Sequence, residues 1–304
     1  MGINRYKIKK WIKMLRGKSL LHVEQPLGKS FSPNKIKGYF NDLTNKVLLD
    51  SDTFEKKCLP KMLNEKGEEV VFATTIFQYG LGCYDLFLQT GSQEYIDQFK
   101  KCVDWAIQNQ DNNGGWDVSS FAGPKSHYGA MAQGEGVSLL IRAYVYFDNN
   151  YYLEFAKNAI DLMLTPLEDG GTAKYMDEDV VLMEFMDRPC ILNGWIFALF
   201  GLYDFCLVCD ETRYKDLLVK TLFTLKKMMP NFDNKYWSKY NERKMIASPF
   251  YHKLHISQLE ALQLISDDDV WKQYHLLFKK YQCNFWNRKR AFVVKAVQKI
   301  FLKD

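Results

Sequence analysis

The chain has 304 residues, 47% of them hydrophobic and 15% aromatic, and its formal net charge is +5. This composition excludes a disordered chain, because it supplies enough apolar surface to build a core. No window approaches 18 uninterrupted apolar residues, so no transmembrane span is predicted, and the basic start lacks the apolar region of a signal peptide. Seven scattered cysteines, an odd number, favour a reduced compartment and predict a soluble, cytoplasmic protein.

Positive charge is concentrated at the two ends of the chain. Residues 1–18 hold seven basic side chains and no acidic one, whereas residues 288–304 hold six basic and one acidic. The remaining residues are acidic overall, with 28 basic and 35 acidic side chains. Both ends are amphipathic, which suits either peripheral contact with an anionic membrane surface or terminal helices packed on the body with solvated lysines. The acidic body argues against a nucleic-acid partner.

Four helix-period runs follow one another along the chain. They begin near Gln78, Gln133, Asn193 and Gln258, at spacings of 55, 60 and 65 residues. Each run is followed by a second helical stretch, at about residues 94–110, 151–164, 211–229 and 269–283. Strand-like alternation is limited to short pieces around residues 36–48, 179–185 and 234–240.

This repeat predicts an all-α dominated fold, an incomplete α/α toroid of about four helical hairpins. Short β-hairpins are expected in the N-terminal region and in the loops. The expected division is a basic helix and cap in residues 1–69, the toroid in 70–285 and a basic amphipathic tail in 286–304. Polar and small residues start each inner helix, so the ring is expected to be wide enough for helix N-termini to line a cleft. By fold-level analogy, such a cleft suits a sugar chain.

A cluster of two histidines and a tyrosine opens the last of these runs, at Tyr251-His252-Lys253-Leu254-His255. The spacing of three residues places His252 and His255 on one helix face. No acidic residue lies at a useful spacing within the run, so no metal site is predicted. The chain also lacks a dinucleotide fingerprint and a phosphate-binding loop, so no cofactor is expected.

Several motifs resemble the C-terminal catalytic domain of the D-glucuronyl C5-epimerase family, which acts on heparosan or heparan. The resemblance covers about residues 70–285, with the motifs in the family's order. They are Tyr128-Gly-Ala-Met-Ala-Gln133-Gly, Leu192-Asn193-Gly194, Leu199-Phe200-Gly201-Leu202-Tyr203-Asp204, Tyr240-Asn-Glu-Arg243 and Tyr251-His252-x-x-His255-Ile-x-Gln258-Leu259. The resemblance implies inversion of C5 in polymer-bound D-glucuronate, which gives L-iduronate without a cofactor.

The resemblance also implies which residues carry the chemistry. Proton transfer falls to Tyr251, Tyr240 and Glu184, and Arg243 grips the substrate carboxylate. Substrate contacts are expected from Asn193, His252, His255, Gln133, Tyr128 and Gln78. A tyrosine that acts as a base needs a lowered pKa, so cations are expected beside Tyr251, such as Arg243, Lys253 or the imidazoles.

One position departs from the family pattern. The glutamate that matches Glu184 precedes a tyrosine with an acid/base role in the vertebrate enzymes, whereas Phe185 follows it here. Phe185 has no proton to exchange, so either Tyr251 or Tyr240 pairs with Glu184, or activity is altered or lost. Trp116, on a glycine-rich loop, is open to two interpretations: a stacking platform for a sugar ring or an anchor of the loop.

Three alternatives to an epimerase therefore stay open. A polysaccharide lyase begins with the same proton abstraction from C5. A hydrolase needs two carboxylates across the cleft, for which Glu184 and Glu135 are the obvious pair. A non-catalytic partner of a capsule synthase would keep the sugar cleft and lack a proton-transfer group. In each case the expected partner is a glucuronate-containing polysaccharide, handled in the cytoplasm near the inner face of the membrane.

Overall fold

In the computed structural model, the described residues are 19, 22–63 and 68–301. The basic amphipathic segment expected at residues 1–18 lies outside them. The N-terminal region contains two short helices, α1 (Thr44–Leu48) and α2 (Ser51–Glu55), and a small antiparallel hairpin of β1 (Met62–Leu63) and β2 (Glu69–Val70).

Four helical hairpins follow, as the repeat predicts. They are α3 (Ala73–Thr90) with α4 (Gln93–Asn109), α6 (Ala130–Phe147) with α7 (Asn150–Leu164), α8 (Leu192–Val208) with α9 (Thr212–Met228), and α10 (Pro249–Ile265) with α11 (Asp269–Cys283). The remaining elements are the single turn α5 (Ser119–Ala122), the antiparallel hairpin of β3 (Ala173–Met176) and β4 (Asp179–Leu182), and the last helix α12 (Phe285–Phe301). The predicted helical, incomplete α/α toroid is therefore confirmed.

Composition decides which helix of each hairpin faces inward. Asp204 is the single charged residue of α8, whereas its partner α9 carries five basic residues. A helix that is apolar all round must be buried, and one with a charged face lies at the surface. The inner helices α3, α6, α8 and α10 accordingly pack side by side in that order.

Two glycines let α6 and α8 approach each other closely. A Cβ atom at Gly134 would lie 2.5 Å from the Ala198 Cα, and one at Gly201 would overlap the backbone of Gly134. Any larger side chain would force the two helices apart, since real Cβ contacts are longer than this.

Residues 22–48, here named the cap segment, pack across the inner helices. The Phe40 ring stacks on Phe200 at 4.1 Å, and Tyr39 is fully buried. The buried Arg142 of α6 donates to the Gly38 carbonyl at 2.9 Å and to Asp204 of α8 at 2.6 Å. The cap segment packs on the second halves of α3, α6 and α8, so the expected open ring is closed on that side.

The predicted strands fit the structure less well than the helices. Residues 179–182 do form a strand, but they pair with β3, which the sequence did not predict. Residues 36–48 form isolated bridges at Gly38 and Asn41 and then α1, because Thr44–Leu48 can close a helical turn against α3. Isolated bridges, Asp233 to Ser238 and Lys239 to Ile246, replace the strand expected at 234–240.

The last helix, α12, packs on the body of the protein. Ala291 is fully buried, the Lys295 ammonium donates to the Ile246 carbonyl at 2.8 Å, and Gln298 bonds both Ile246 and Lys244. Among the described helices, none combines the length and the hydropathy that a bilayer crossing requires.

Candidate active site

Polar side chains gather at the first halves of the inner helices and in the loop after β4, opposite the part covered by the cap segment. Several of their buried atoms have no hydrogen-bond partner among the described residues: both amide atoms of Gln133, Oε2 of Glu135 and Glu184, Oδ1 of Asn193, Nε2 of His255 and Oε1 of Gln258. Buried polar groups are normally paired, so a cluster of unpaired ones indicates a surface made for a polar ligand.

Two of these carboxyl groups have strongly raised pKa values. Burial raises the pKa of Glu184 to about 8, and the Arg188 guanidinium opposes that rise. Burial likewise raises the pKa of Glu135 to about 8, against the hydrogen bond from Gln78 and the charge of Lys46. Ionised Glu184 adds to the rise at Glu135, so the two carboxyls share one electrostatic environment. Titratable groups near neutrality in a cleft are what proton transfer requires.

Glu184 lies against the first turn of α8. A Cβ atom at Gly194 would overlap the Glu184 carboxylate, so glycine at this position makes room for it. Glu184 follows β4 in an irregular loop, and its backbone carbonyl packs on Gly129 at the start of α6. Glu184 is thus positioned by two helix starts, those of α6 and α8.

Tyr251 and Tyr240 form a pair beside Glu184. Their ring centroids are 4.8 Å apart, and the two hydroxyls share a hydrogen bond. Burial and the charge of Glu184 raise the pKa of Tyr251 above its ordinary value, despite the bond from Tyr240. The expectation that neighbouring cations lower this pKa is therefore wrong, because Lys253 pairs with Glu24 and burial keeps both imidazoles neutral. Tyr251 therefore keeps its hydroxyl proton at neutral pH.

Phe185 lies at the same site. It is buried with Ile191, next to Tyr240, and the Arg188 guanidinium lies 4.4 Å from its ring centroid. The residue without a hydroxyl is therefore part of the wall of the site, and Tyr240 and Tyr251 are the tyrosines beside Glu184.

Ser238 links His252 and His255 in a chain of hydrogen bonds that fixes both tautomers. His252 Nε2 lies 3.1 Å from the Phe278 carbonyl, so it must donate, and Nδ1 must accept. The Ser238 hydroxyl, 2.7 Å from that Nδ1, therefore donates to it and accepts from His255 Nδ1 at 2.9 Å. His255 Nε2 is left as an acceptor, suited to a sugar hydroxyl.

His252 differs from His255 in this respect, since both of its ring nitrogens bond within the protein. Its ring also stacks on Trp237 at 3.7 Å, and burial lowers its pKa to about 3. These contacts leave His252 no free polar atom for the substrate contact that the sequence predicts, and its effect on a ligand passes through Ser238 and His255.

Three residues that the sequence suggested for substrate binding do not join this cluster. Two of them anchor loops, and the third is exposed. The Tyr128 hydroxyl donates to Asp111 at 2.5 Å and accepts from Asn113, so it holds the 111–115 loop. Trp116 is buried and donates to the Ala106 carbonyl at 2.8 Å, which makes it a loop anchor and excludes the stacking platform. Arg243 is exposed on the turn after Tyr240, and its grip on a carboxylate stays a prediction.

Sequence reasoning missed three residues: Lys46, Arg188 and Ser238. Lys46 is buried beside Glu135, and burial lowers its pKa to about 8. The sequence gives no signal for it, because Lys46 stands between Asn45 and Val47 in a helix of mixed polarity. Ser238 stands in no motif and at no helical spacing from the two histidines it contacts. Arg188 is only three and four residues from Phe185 and Glu184, but it lies in an irregular loop, so the sequence does not show that the three meet.

The family model described as D-glucuronyl C5-epimerase C-terminus matches residues 110–280. The chain belongs to this family. It is 28% identical over 207 residues to the D-glucuronyl C5-epimerase of Caenorhabditis elegans, and the match covers 59% of this chain and 34% of that relative. The chain thus spans about a third of the length of this curated relative.

Two further similarities cover more of the chain. An uncharacterized protein of Methanocaldococcus jannaschii is 23% identical over 226 residues, which is 72% of each chain. Among solved structures, the cellobiose 2-epimerase from Bacillus thermoamylovorans B4167 is similar with a TM-score of 0.55 and 8% identity, over 79% of this chain and 72% of that one. At this identity the similarity concerns the fold alone.

The structure explains why several motifs shared with the C5-epimerase family are present. Gly134 and Gly201 permit the contact between α6 and α8, and Gly194 makes room for Glu184. The Tyr203 hydroxyl donates to the Pro33 carbonyl at 2.8 Å, and Asp204 pairs with Arg142. The Gly201-Leu202-Tyr203-Asp204 motif therefore fastens the cap segment, whereas the Tyr251 and Asn193 motifs line the site.

Proposed function

We propose that the protein epimerises C5 of D-glucuronate to L-iduronate within a polysaccharide, by proton abstraction and reprotonation. The observation that carries this proposal is a carboxyl with a pKa of about 8, Glu184, beside a protonated tyrosine pair, Tyr251 and Tyr240. Membership of the C5-epimerase family supports it. The polymer is a glucuronate-containing chain of the heparosan type, modified near the inner face of the membrane.

In the proposed reaction, ionised Glu184 removes the C5 proton. The electron pair of the C5–H bond moves into the substrate carboxylate and forms an enediolate. Tyr251 then donates its hydroxyl proton to C5 from the opposite face of the ring. Glu184 has gained a proton and Tyr251 has lost one, so net transfer of one proton through water restores both, with Tyr240 sharing the charge on Tyr251. The pKa of Glu184 suits a base, since an effective base has a pKa near the working pH. The raised pKa of Tyr251 suits an acid, since it keeps the proton on the hydroxyl until the transfer.

The enediolate carries more negative charge than the ground state and needs cations. Arg188, whose charge already acts on Glu184, and Arg243, exposed beside Tyr240, are the two guanidinium groups proposed to hold the substrate carboxylate. A guanidinium suits this role because it binds a carboxylate through two parallel hydrogen bonds. Lys46 acts on the site indirectly, because its charge lowers the pKa of Glu135.

The pair Glu135 and Glu184 supports hydrolysis less well. A glycosidase needs one carboxyl that stays ionised while the other is protonated. Both of these carboxyls have pKa values of about 8, and Oε1 of Glu135 accepts the Gln78 amide at 2.7 Å. The two environments are therefore similar, whereas hydrolysis calls for them to differ.

Proton NMR of heparosan incubated with the protein in heavy water tests the proposal. We expect deuterium at C5 together with iduronate signals, because the proton that Tyr251 donates comes from the solvent. The Tyr251→Phe variant should lower the rate of iduronate formation by about 10²–10⁴-fold, the usual contribution of a positioned acid or base.

The control is Tyr151→Phe, a half-exposed tyrosine of α7 outside the site. It should form iduronate at the wild-type rate. A new C4–C5 double bond would instead establish a lyase. A folded wild-type protein that binds heparosan without any exchange would overturn the catalytic proposal and leave a polysaccharide-binding partner.

A further inference from the structure

The outer face of α12 is apolar, exposed and flanked by basic residues. Trp286 and Phe301 are 76% and 77% exposed, and Val293 and Val297 lie between them on the same face. These positions are spaced by seven, four and four residues, which places them in one stripe along the helix. Phe285 and Phe292 are exposed beside the stripe. Large apolar side chains seldom cluster on a water-facing helix without a partner.

The charges of α12 restrict what that partner is. Residues 285–301 contain five basic residues and no acidic one. Lys289 and Arg290 line a shallow depression together with Trp286 and Val293, so cations and the apolar stripe share one surface. This combination of an apolar stripe and a purely basic flank is complementary to an anionic lipid surface.

The inner face of α12 holds the helix in a fixed orientation. Ala291 is buried, Arg290 lies 4.0 Å from the Tyr236 ring centroid, and Lys295 and Gln298 bond the loop that contains Ile246. The exposed stripe therefore needs no folding step before it meets a surface, which removes an ordering cost from binding.

We propose that α12 docks the protein on an anionic lipid bilayer, with the helix axis in the plane of the membrane and the Trp286–Phe301 stripe in the interface. The loop from Tyr240 to Ile246, which α12 fastens, is then held at the membrane surface. This inference stands independently of the proposed reaction, because it rests on the face of α12 that points away from the site.

Co-sedimentation of the full chain with vesicles tests the docking. We expect binding to vesicles of 70% phosphatidylcholine and 30% phosphatidylglycerol, and far weaker binding to pure phosphatidylcholine. Trp286→Ser/Val297→Ser should weaken binding by about tenfold or more, because it removes apolar area from the interface. The matched control is Val219→Ser/Phe223→Ser on α9, where the two residues are 65% and 60% exposed.

A second pair of variants, at exposed positions, tests whether the positive charge of α12 contributes to vesicle binding. Lys289→Glu on α12 should weaken binding to the anionic vesicles, whereas Lys272→Glu on α11, with the same change in net charge, should not. Equal binding to both kinds of vesicle, equal effects of the α9 and α12 variants, or wild-type binding by both α12 variants would overturn the assignment. The last result would place the contact in another segment.

Discussion

His252 and His255 lie one helical turn apart and share the Ser238 hydroxyl, yet only His255 keeps a ring nitrogen without a partner among the described residues. Their spacing predicts a pair with one role. A third hydrogen bond, from His252 to the Phe278 carbonyl, makes the two histidines different. It fixes the proton of His252, and through Ser238 it decides which nitrogen of His255 accepts.

Ser238→Ala should therefore release the tautomer of His255 without removing His252 from its place. The Ser238 backbone N–H still donates to His252 Nδ1 at 3.1 Å in this variant. We expect ¹⁵N NMR of the ring nitrogens to show His255 with its proton on Nδ1 in the wild type and mixed tautomers in the variant, with a raised KM. An unchanged His255 spectrum would contradict the proposed chain.

The pKa of Glu184 gives a second prediction for a single residue. Because Glu184 is proposed as the base, kcat should rise with pH, with a midpoint near the pKa of about 8. Arg188→Met removes the cation that opposes the raised pKa, so the midpoint should move to higher pH. Glu184→Gln should lower kcat by about 10²–10⁴-fold. A midpoint that stays in place in Arg188→Met would show that another group titrates.

Among the elements, α6 and α8 pack with their backbones in direct contact at two glycines. The backbone at Gly134 occupies the space that a side chain at Gly201 would need. Gly80 on α3 is also crowded, but its neighbours are the Leu139 and Cys102 side chains. The Leu139 Cδ1 methyl group can rotate away, whereas the Cys102 Cβ moves only with its backbone. At Gly201, all three nearest atoms belong to the backbone of α6.

Gly201→Ala should thus destabilise the protein by about 1–3 kcal/mol, the usual cost of overpacking. Gly80→Ala should cost less, because rotation of Leu139 relieves one of its two close contacts. The gain in helix propensity, about 1 kcal/mol, is common to both variants. Urea unfolding followed by circular dichroism measures both. Equal losses in the two variants would contradict the difference between backbone and side-chain crowding.

The helices could be predicted from the sequence far better than the cap segment. The second helices of all four hairpins begin and end within about two residues of their predicted bounds, because apolar periodicity is a local signal that tertiary packing preserves. The cap segment has no such signal, since its conformation depends on distant partners such as Arg142 and Tyr203. Tyr251 and Glu184 were predicted from the family resemblance, whereas the long-range contacts of Lys46 and Ser238 have no signature in the sequence.

The buried ionisable groups together set how the stability of the whole molecule varies with pH. Glu135 and Glu184 have folded-state pKa values of about 8 against an ordinary value of 4.5, so the folded state holds their protons more tightly. Stability is then lost as the pH rises from about 4.5 through about 8. His252 and His255 have the opposite effect on stability. Their pKa values are lowered in the folded state, so the protein loses stability as the pH falls below 6.5.

A double variant, Glu135→Gln/Glu184→Gln, should isolate the contribution of the carboxyls. Its free energy of unfolding, measured relative to that of the wild type, should increase steadily between pH 5 and pH 8, because glutamine cannot ionise. Urea unfolding at four pH values across this range provides the measurement. A difference that is independent of pH would mean that both carboxyls ionise at ordinary values in the folded protein.

The cap segment has a consequence for how the chain is made. Its anchors lie far along the sequence: Gly38 bonds Arg142, 104 residues later, Pro33 bonds Tyr203, 170 residues later, and Glu24 pairs with Lys253, 229 residues later. A ribosome adds about 5–20 residues per second, so the cap segment waits on the order of ten seconds or more for α10 to be synthesised. Until then its aromatic residues, Tyr39 and Phe40, have no complete ring to enter. The first described segment to leave the ribosome is thus among the last to dock, and nascent chains need protection at their N-terminal end.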